Sequence, residues 1–189
     1  MAFSTMAQEL SHGSNNFTLQ EQSFSTKDGL SHPSVTAFAQ DAYGFIWMST
    51  PDGLNRYDGQ SFKVYRKKSH GLQSNNIRRV MNSPDSLLWL FYPEGANGFQ
   101  AMDVFDPISG QVSKFEKHYE GQLPDEIATF NFGNQRANED GSIWLGSDHY
   151  LYEYDGLQFQ ELLELPDSLF IAGMKKKAKA TTGVSGWLI

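Results

Sequence analysis

The sequence predicts an all-β fold, a partial β-propeller of about three and a half four-stranded antiparallel blades, and three observations carry that reading. Trp47, Trp89, Trp144 and Trp187 recur at intervals of 42, 55 and 43 residues. Similar turns follow the first three of them: Tyr57-Asp58-Gly59, Phe105-Asp106-Pro107 and Tyr154-Asp155-Gly156, at steps of 10, 16 and 10 residues, so the middle copy carries a six-residue insertion. Aromatic residues make up 14% of the 189 residues and Gly contributes 17, the composition of short strands joined by tight turns.

Taken in order, residues 1–16 read as a signal-peptide remnant or a disordered start, because Thr5 and Ala7 are spaced like the small residues of a secretory cleavage site. Residues 17–24 form a strand-like stretch ahead of the first repeat, and 17–27 is expected to be a lone outer strand. Blade 1 spans 28–69, with strands at 35–40, 45–50, 54–57 and 62–65. Blade 2 spans 70–118, with strands at 77–82, 87–92, 102–106 and 112–115. Blade 3 spans 119–166, with strands at 127–132, 142–147, 150–154 and 158–163. Residues 167–174 start a fourth blade, and 175–189 are either its truncated remainder or an atypical tail. The turns hold Asp or Gly where tight hairpins need them, as at Asp58-Gly59 and Asp155-Gly156. Each Trp sits on the second strand of its blade, where an indole is expected to wedge between blades as core.

The first copy has a recognisable pattern. Asp28-Gly29-Leu30-Ser31-His32-Pro33-Ser34-Val35, then Gln40-Asp41-Ala42-Tyr43-Gly44-Phe45-Ile46-Trp47, then Asp52-Gly53-Leu54-Asn55-Arg56-Tyr57-Asp58-Gly59 resembles the two-component regulator propeller repeat. Gly71-Leu72-Gln73-Ser74-Asn75-Asn76-Ile77 and Gly121-Gln122-Leu123-Pro124-Asp125-Glu126-Ile127 repeat its opening. The resemblance implies the N-terminal part of the periplasmic sensor region of a hybrid two-component system. It also implies a parent anchored in the inner membrane and an oligosaccharide or other small extracellular ligand. The family's propellers have seven blades, about twice what this chain supplies.

Composition removes several classes of chemistry. Without Cys there are no disulfides, thiolate metal sites or Cys nucleophiles. The five His are not paired at metal-ligand spacing, and no loop has the dense acidic alternation of a calcium site. No metal or cofactor is therefore expected. A net charge of −7 argues against nucleic acid. No apolar run is long enough to span a bilayer, so no membrane contact by this segment is expected.

In an antiparallel blade, the link into strand one and the turn between strands two and three share one face. That face gathers His32, Asp52, Asn76, Glu126 and His149, with Tyr92 and Phe99 flanking the insertion. Loops on a rigid scaffold are where binding groups sit, and polar groups beside an exposed aromatic suit a sugar. This makes those seven residues the candidate ligand site, with no catalytic residue assigned. Two alternatives remain. A propeller-fold lyase related to the streptogramin-cleaving enzymes would need a His and a carboxylate converging, for which His149 with Glu126 is the candidate pair. A non-catalytic interaction scaffold would use the insertion to dock a protein. The open blade faces at each end of a partial ring also predict self-association.

Overall fold

The computed structural model describes residues 22–93, 101–124, 135–146 and 149–166, with the backbone of 175–176 and 187–188. Among these, twelve strands form three four-stranded antiparallel sheets, each a simple meander. The first contains β1 (Ala37–Gln40), β2 (Ile46–Thr50), β3 (Gly53–Tyr57) and β4 (Phe62–Tyr65). The second contains β5 (Arg79–Asn82), β6 (Leu88–Phe91), β7 (Met102–Phe105) and β8 (Val112–Lys114). The third contains β9 (Gln135–Ala137), β10 (Ile143–Gly146), β11 (Tyr150–Tyr154) and β12 (Phe159–Glu164). Beyond them, β13 (Lys175–Lys176) pairs with β14 (Trp187–Leu188). Single helical turns, α1 (Lys67–His70) and α2 (Phe115–His118), follow the fourth strands of the first two blades.

The cores lie between the blades, which is why the tryptophan period sets the architecture. Leu88, Leu90 and Phe105 of the second blade pack with Trp47, Leu54 and Tyr65 of the first. The opposite face of the second blade, Trp89, Phe91, Met102 and Val104, packs with Ile143, Leu145, Tyr152 and Tyr154 of the third. All four residues of β6 are therefore buried, as expected for a strand covered on both faces. In β2 the burial alternates through Ile46, Trp47 and Met48, because neighbours cover one face more fully. The first strands form the inner layer: Asn82 Nδ2 donates to the Gln40 carbonyl (2.7 Å), and Thr36 Oγ1 to that of Ile77 (2.8 Å).

Two expectations need correction. The leading segment is not an outer strand where it is described: residues 22–24 carry no strand, and residues 17–21 lie outside the described residues. Phe24 instead lays its ring against Tyr57 (4.7 Å) and Phe62 (5.3 Å). A capped 3₁₀ turn at Thr26–Asp28 follows, then buried Leu30. The backbone N–H of Ser31 donates to Asn55 Oδ1 at 2.8 Å. This segment covers part of the face that the first blade turns away from the second, while Phe38 on β1 stays 77% exposed.

The second correction concerns the third blade, whose innermost strand is Gln135–Ala137 rather than residues 127–132, which lie outside the described residues. Register explains it: Ala39 opposes Trp47, Met81 opposes Trp89 and Arg136 opposes Trp144, each pair eight residues apart. The apolar run at 127–132 looks more strand-like than Gln-Arg-Ala. Pairing with β10 marks Gln135–Ala137 as the strand beside it, which local propensity does not reveal.

Candidate functional site

The indole nitrogens show how each blade is finished. Trp47 Nε1 donates to Asp41 Oδ2 (2.8 Å), on the turn between β1 and β2. Trp89 Nε1 donates to the Tyr119 hydroxyl (3.0 Å) and Trp144 Nε1 to Glu153 Oε1 (3.1 Å). The core role of the Trp repeats, but its acceptor does not. In the second blade, Tyr119 and Tyr154 both donate to Asp85 Oδ2, at 2.8 and 2.9 Å, and the Ser83 hydroxyl bonds the other carboxylate oxygen. Burial first, and then the Asp85 charge, pushes both phenols far above the ordinary tyrosine range, so they remain donors. Asp85 is thus a knot between the second and third blades. Its isolation in a turn gave no sequence signal, since its partners lie 34 and 69 residues away.

The residues expected to gather on one face are engaged in different ways. Asp52, on the turn between β2 and β3, accepts from Arg66 Nη2 at 2.9 Å and from Asn75 Nδ2 at 3.2 Å. Asn75 returns its carbonyls: Oδ1 accepts from the Lys67 N–H and its backbone oxygen from the Gly53 N–H, both at 2.8 Å. This turn is latched onto the link entering the second blade. His32 Nδ1 accepts from the Ser34 N–H at 3.0 Å. Asn76 is exposed, its N–H bonded to Ser74 Oγ at 3.1 Å.

Tyr92 corrects the expectation of an exposed aromatic platform. It is 1% exposed, and its hydroxyl donates to Asp103 Oδ2 at 2.6 Å. Asp103 also accepts from the Gln73 N–H (2.9 Å) and from Gln73 Nε2 (2.7 Å). Asn55 does the same work one blade earlier, clamping Ser31 through its N–H and its hydroxyl, both at 2.8 Å. Asn55 opposes Met48 and Asp103 opposes Leu90 at equivalent register, so a polar residue at this position of the third strand was the signal that sequence reading missed. Phe99 and Glu126 lie outside the described residues. His149 is half-buried, and its Nδ1 is buried without a partner among the described residues. The motif turns are closed by their own carboxylates. Asp58 Oδ1 accepts from the Gln60 and Ser61 N–H groups (2.9 and 2.7 Å), and Asp155 Oδ1 from those of Leu157 and Gln158 (2.8 and 2.9 Å). Gly59 and Gly156 supply the positive φ these turns need, 93° and 99°.

The latch at Asp52 sets a pH-dependent expectation. The hydrogen-bonded Arg66 guanidinium holds the Asp52 carboxyl below its ordinary 3.8. A carboxylate with a depressed folded-state pKa contributes stability that is complete above 3.8 and is lost as pH falls through the lower folded-state value. The pair is 43% and 39% exposed at its two side chains. Asp52→Asn should therefore cost about 1 kcal/mol or less at neutral pH. Urea midpoints at neutral and strongly acidic pH check this: the gap between the variant and the parent closes in acid.

The comparisons with known proteins follow this geometry. The two component regulator propeller family matches residues 29–52, from the link into the first blade to the turn between β2 and β3. Histidine kinase P4 of Formosa agariphila is 45% identical over 64 residues, 34% of this chain and 4% of that protein. Among solved structures, the extracellular domain of BT4673 from B. thetaiotaomicron, assigned to a hybrid two component system, aligns at TM-score 0.46 and 16% identity. That alignment covers 77% of this chain and 18% of the other. A streptogramin B lyase aligns at TM-score 0.47 and 11% identity, covering 76% and 45%. With the same four-stranded meander built three times around interblade tryptophans, the chain is a partial β-propeller whose residues 29–52 match the two component regulator propeller repeat.

Proposed function

We propose that this chain is part of the ligand-sensing propeller of a two-component signalling protein, with a binding rather than a catalytic role. The observation that supports it most is the repeat at residues 29–52, joined to 45% identity with a histidine kinase over 64 residues. The chain spans 4% of that kinase, so the output machinery belongs to the parent protein. The proposed ligand is an oligosaccharide or other small extracellular molecule, met in the periplasm by a parent anchored in the inner membrane. The loops of the candidate face, with His149 as a polar group still lacking a partner among the described residues, suit that role.

Thermal unfolding in the presence of an oligosaccharide panel tests the reading. A true ligand at about 100 times its Kd adds about 2.7 kcal/mol of stability, a readily measured rise in Tm. His149→Ala should abolish that rise while leaving the unliganded Tm nearly unchanged. A panel with no hits removes oligosaccharide sensing and favours the interaction-scaffold role.

A further inference from the structure

Because each sheet is a meander, the turns β1–β2, β3–β4, β5–β6, β7–β8, β9–β10 and β11–β12 lie together at one end of the array, opposite the turn latched at Asp52. Each of these turns carries a carboxylate, at Asp41, Asp58, Asp85, Asp106, Glu139 and Asp155, and none carries Lys, Arg or His. Cations stand at the other end, where β4 leaves into α1 through Arg66, Lys67 and Lys68. Asp58, Asp106 and Asp155 accept from N–H or hydroxyl donors of their own turns, which satisfies oxygens without cancelling charge.

The same end carries apolar side chains that the turns do not need. Two residues after the aspartate, Gln60, Ile108 and Leu157 each donate the N–H to its Oδ1, at 2.9, 2.8 and 2.8 Å. Only the backbone of that residue closes the turn, and Gln60 shows that a polar side chain serves there. Ile108 and Leu157 are nevertheless 75% and 84% exposed, and Tyr43 on the β1–β2 turn is 66% exposed. Tyr43 and Ile108, with Leu87 and Pro107, wall a groove of about 360 Å³ between the first and second blades, which Asp41 also lines. Exposed apolar residues scattered singly are ordinary, whereas two sharing one groove offer a patch that binding can bury.

We propose that this end of the array docks a cationic segment of a partner protein, with an aliphatic side chain seated in the groove walled by Tyr43 and Ile108. Lys or Arg flanking that anchor meets the turn carboxylates, Asp41 and Asp106 first. Charge complementarity selects this occupant: a nucleic acid or an anionic lipid surface is repelled, and a neutral sugar gains nothing from charge of one sign. An apolar anchor within a charged rim is also the usual anatomy of a protein interface. The inference goes beyond the sensing role and does not rest on it, since the candidate ligand face is at the opposite end.

Fluorescence anisotropy of the full chain with three labelled peptides decides it: one with Leu flanked by Arg, one with its Arg replaced by Gln, and one with its Leu replaced by Ser. The first is expected to bind at least about tenfold more tightly than either of the others, and to weaken as salt is added. Ile108→Asn and Tyr43→Ser, at exposed turn positions, should each weaken it at least about fivefold with Tm unchanged. Asp106→Asn keeps an oxygen to close the turn and removes the charge, so it should lower both the affinity and its salt dependence. Phe38→Ser, on the face that the first blade turns away from the second, should leave binding as it was. Equal binding of the Ser-substituted peptide makes the end a plain acidic surface, and equal binding of the Gln-substituted peptide makes it a plain apolar one; either overturns the proposal. Binding that survives Ile108→Asn and Tyr43→Ser, that is lost in Phe38→Ser, or that is absent altogether overturns it as well, and the oligosaccharide panel reports on sensing separately.

Discussion

Trp47→Ala is expected to destabilise the chain by about 3–5 kcal/mol, the cost of truncating a fully buried large aromatic. Trp47 has no exposed surface. Its ring meets Tyr65 at 5.5 Å and Phe105 at 5.1 Å, so it joins the first blade to the second. The substitution opens a cavity between two sheets that are each held by their own hydrogen bonds, and neither sheet can collapse into it without leaving the other. It also strips the indole N–H from Asp41 Oδ2, although that carboxylate keeps the N–H groups of Tyr43 and Phe45 at 2.9 and 3.0 Å. Urea unfolding followed by far-ultraviolet circular dichroism measures the effect. A cost below about 1 kcal/mol would mean that the interblade core does not carry the fold.

Gly53→Ala should rank beside it, for a different reason. Gly53 starts β3 at φ 125°, in a backbone region that is essentially closed to residues with a side chain. A Cβ there would stand 2.6 Å from the backbone oxygen of Tyr65, which belongs to the paired strand β4 and cannot swing aside. Strain of about 1–3 kcal/mol from the backbone adds to an overpacking cost of about 1–3 kcal/mol, for a total of about 2–6 kcal/mol. The Gly53 N–H also holds the Asn75 carbonyl at 2.8 Å, so distortion would loosen the link that enters the second blade. Thermal unfolding checks the size. Amide exchange checks the place: protection should fall first at Gly53 and Ile77, whose N–H groups bond across this junction to Asn75 and Thr50.

Much of the architecture was legible because blades repeat. Trp spacing, the Asp-Gly turns and the alternation of the second strands are local patterns, and local patterns survive reading one residue at a time. The departures arose where a partner distant in the chain decides the outcome. The strand beside β10 in the third blade is Gln135–Ala137, placed by its pairing and not by any apolar pattern of its own. Tyr92 reads as an available aromatic, yet Asp103, eleven residues on, receives its hydroxyl inside the protein. Asp52 reads as a free loop carboxylate and is instead tied to Arg66 and Asn75.

The sequence by itself determined the all-β class, the blade period, the residues at the interblade wedges and the turn chemistry, because each rests on short-range preference or on repetition. Tertiary structure alone decided where polar side chains end up. Asp85 collects hydroxyls from two blades, and Asn55 and Asp103 clamp the links. A buried polar group must find its partner in three dimensions, since the cost of leaving it unpaired depends on who is near in space rather than in sequence.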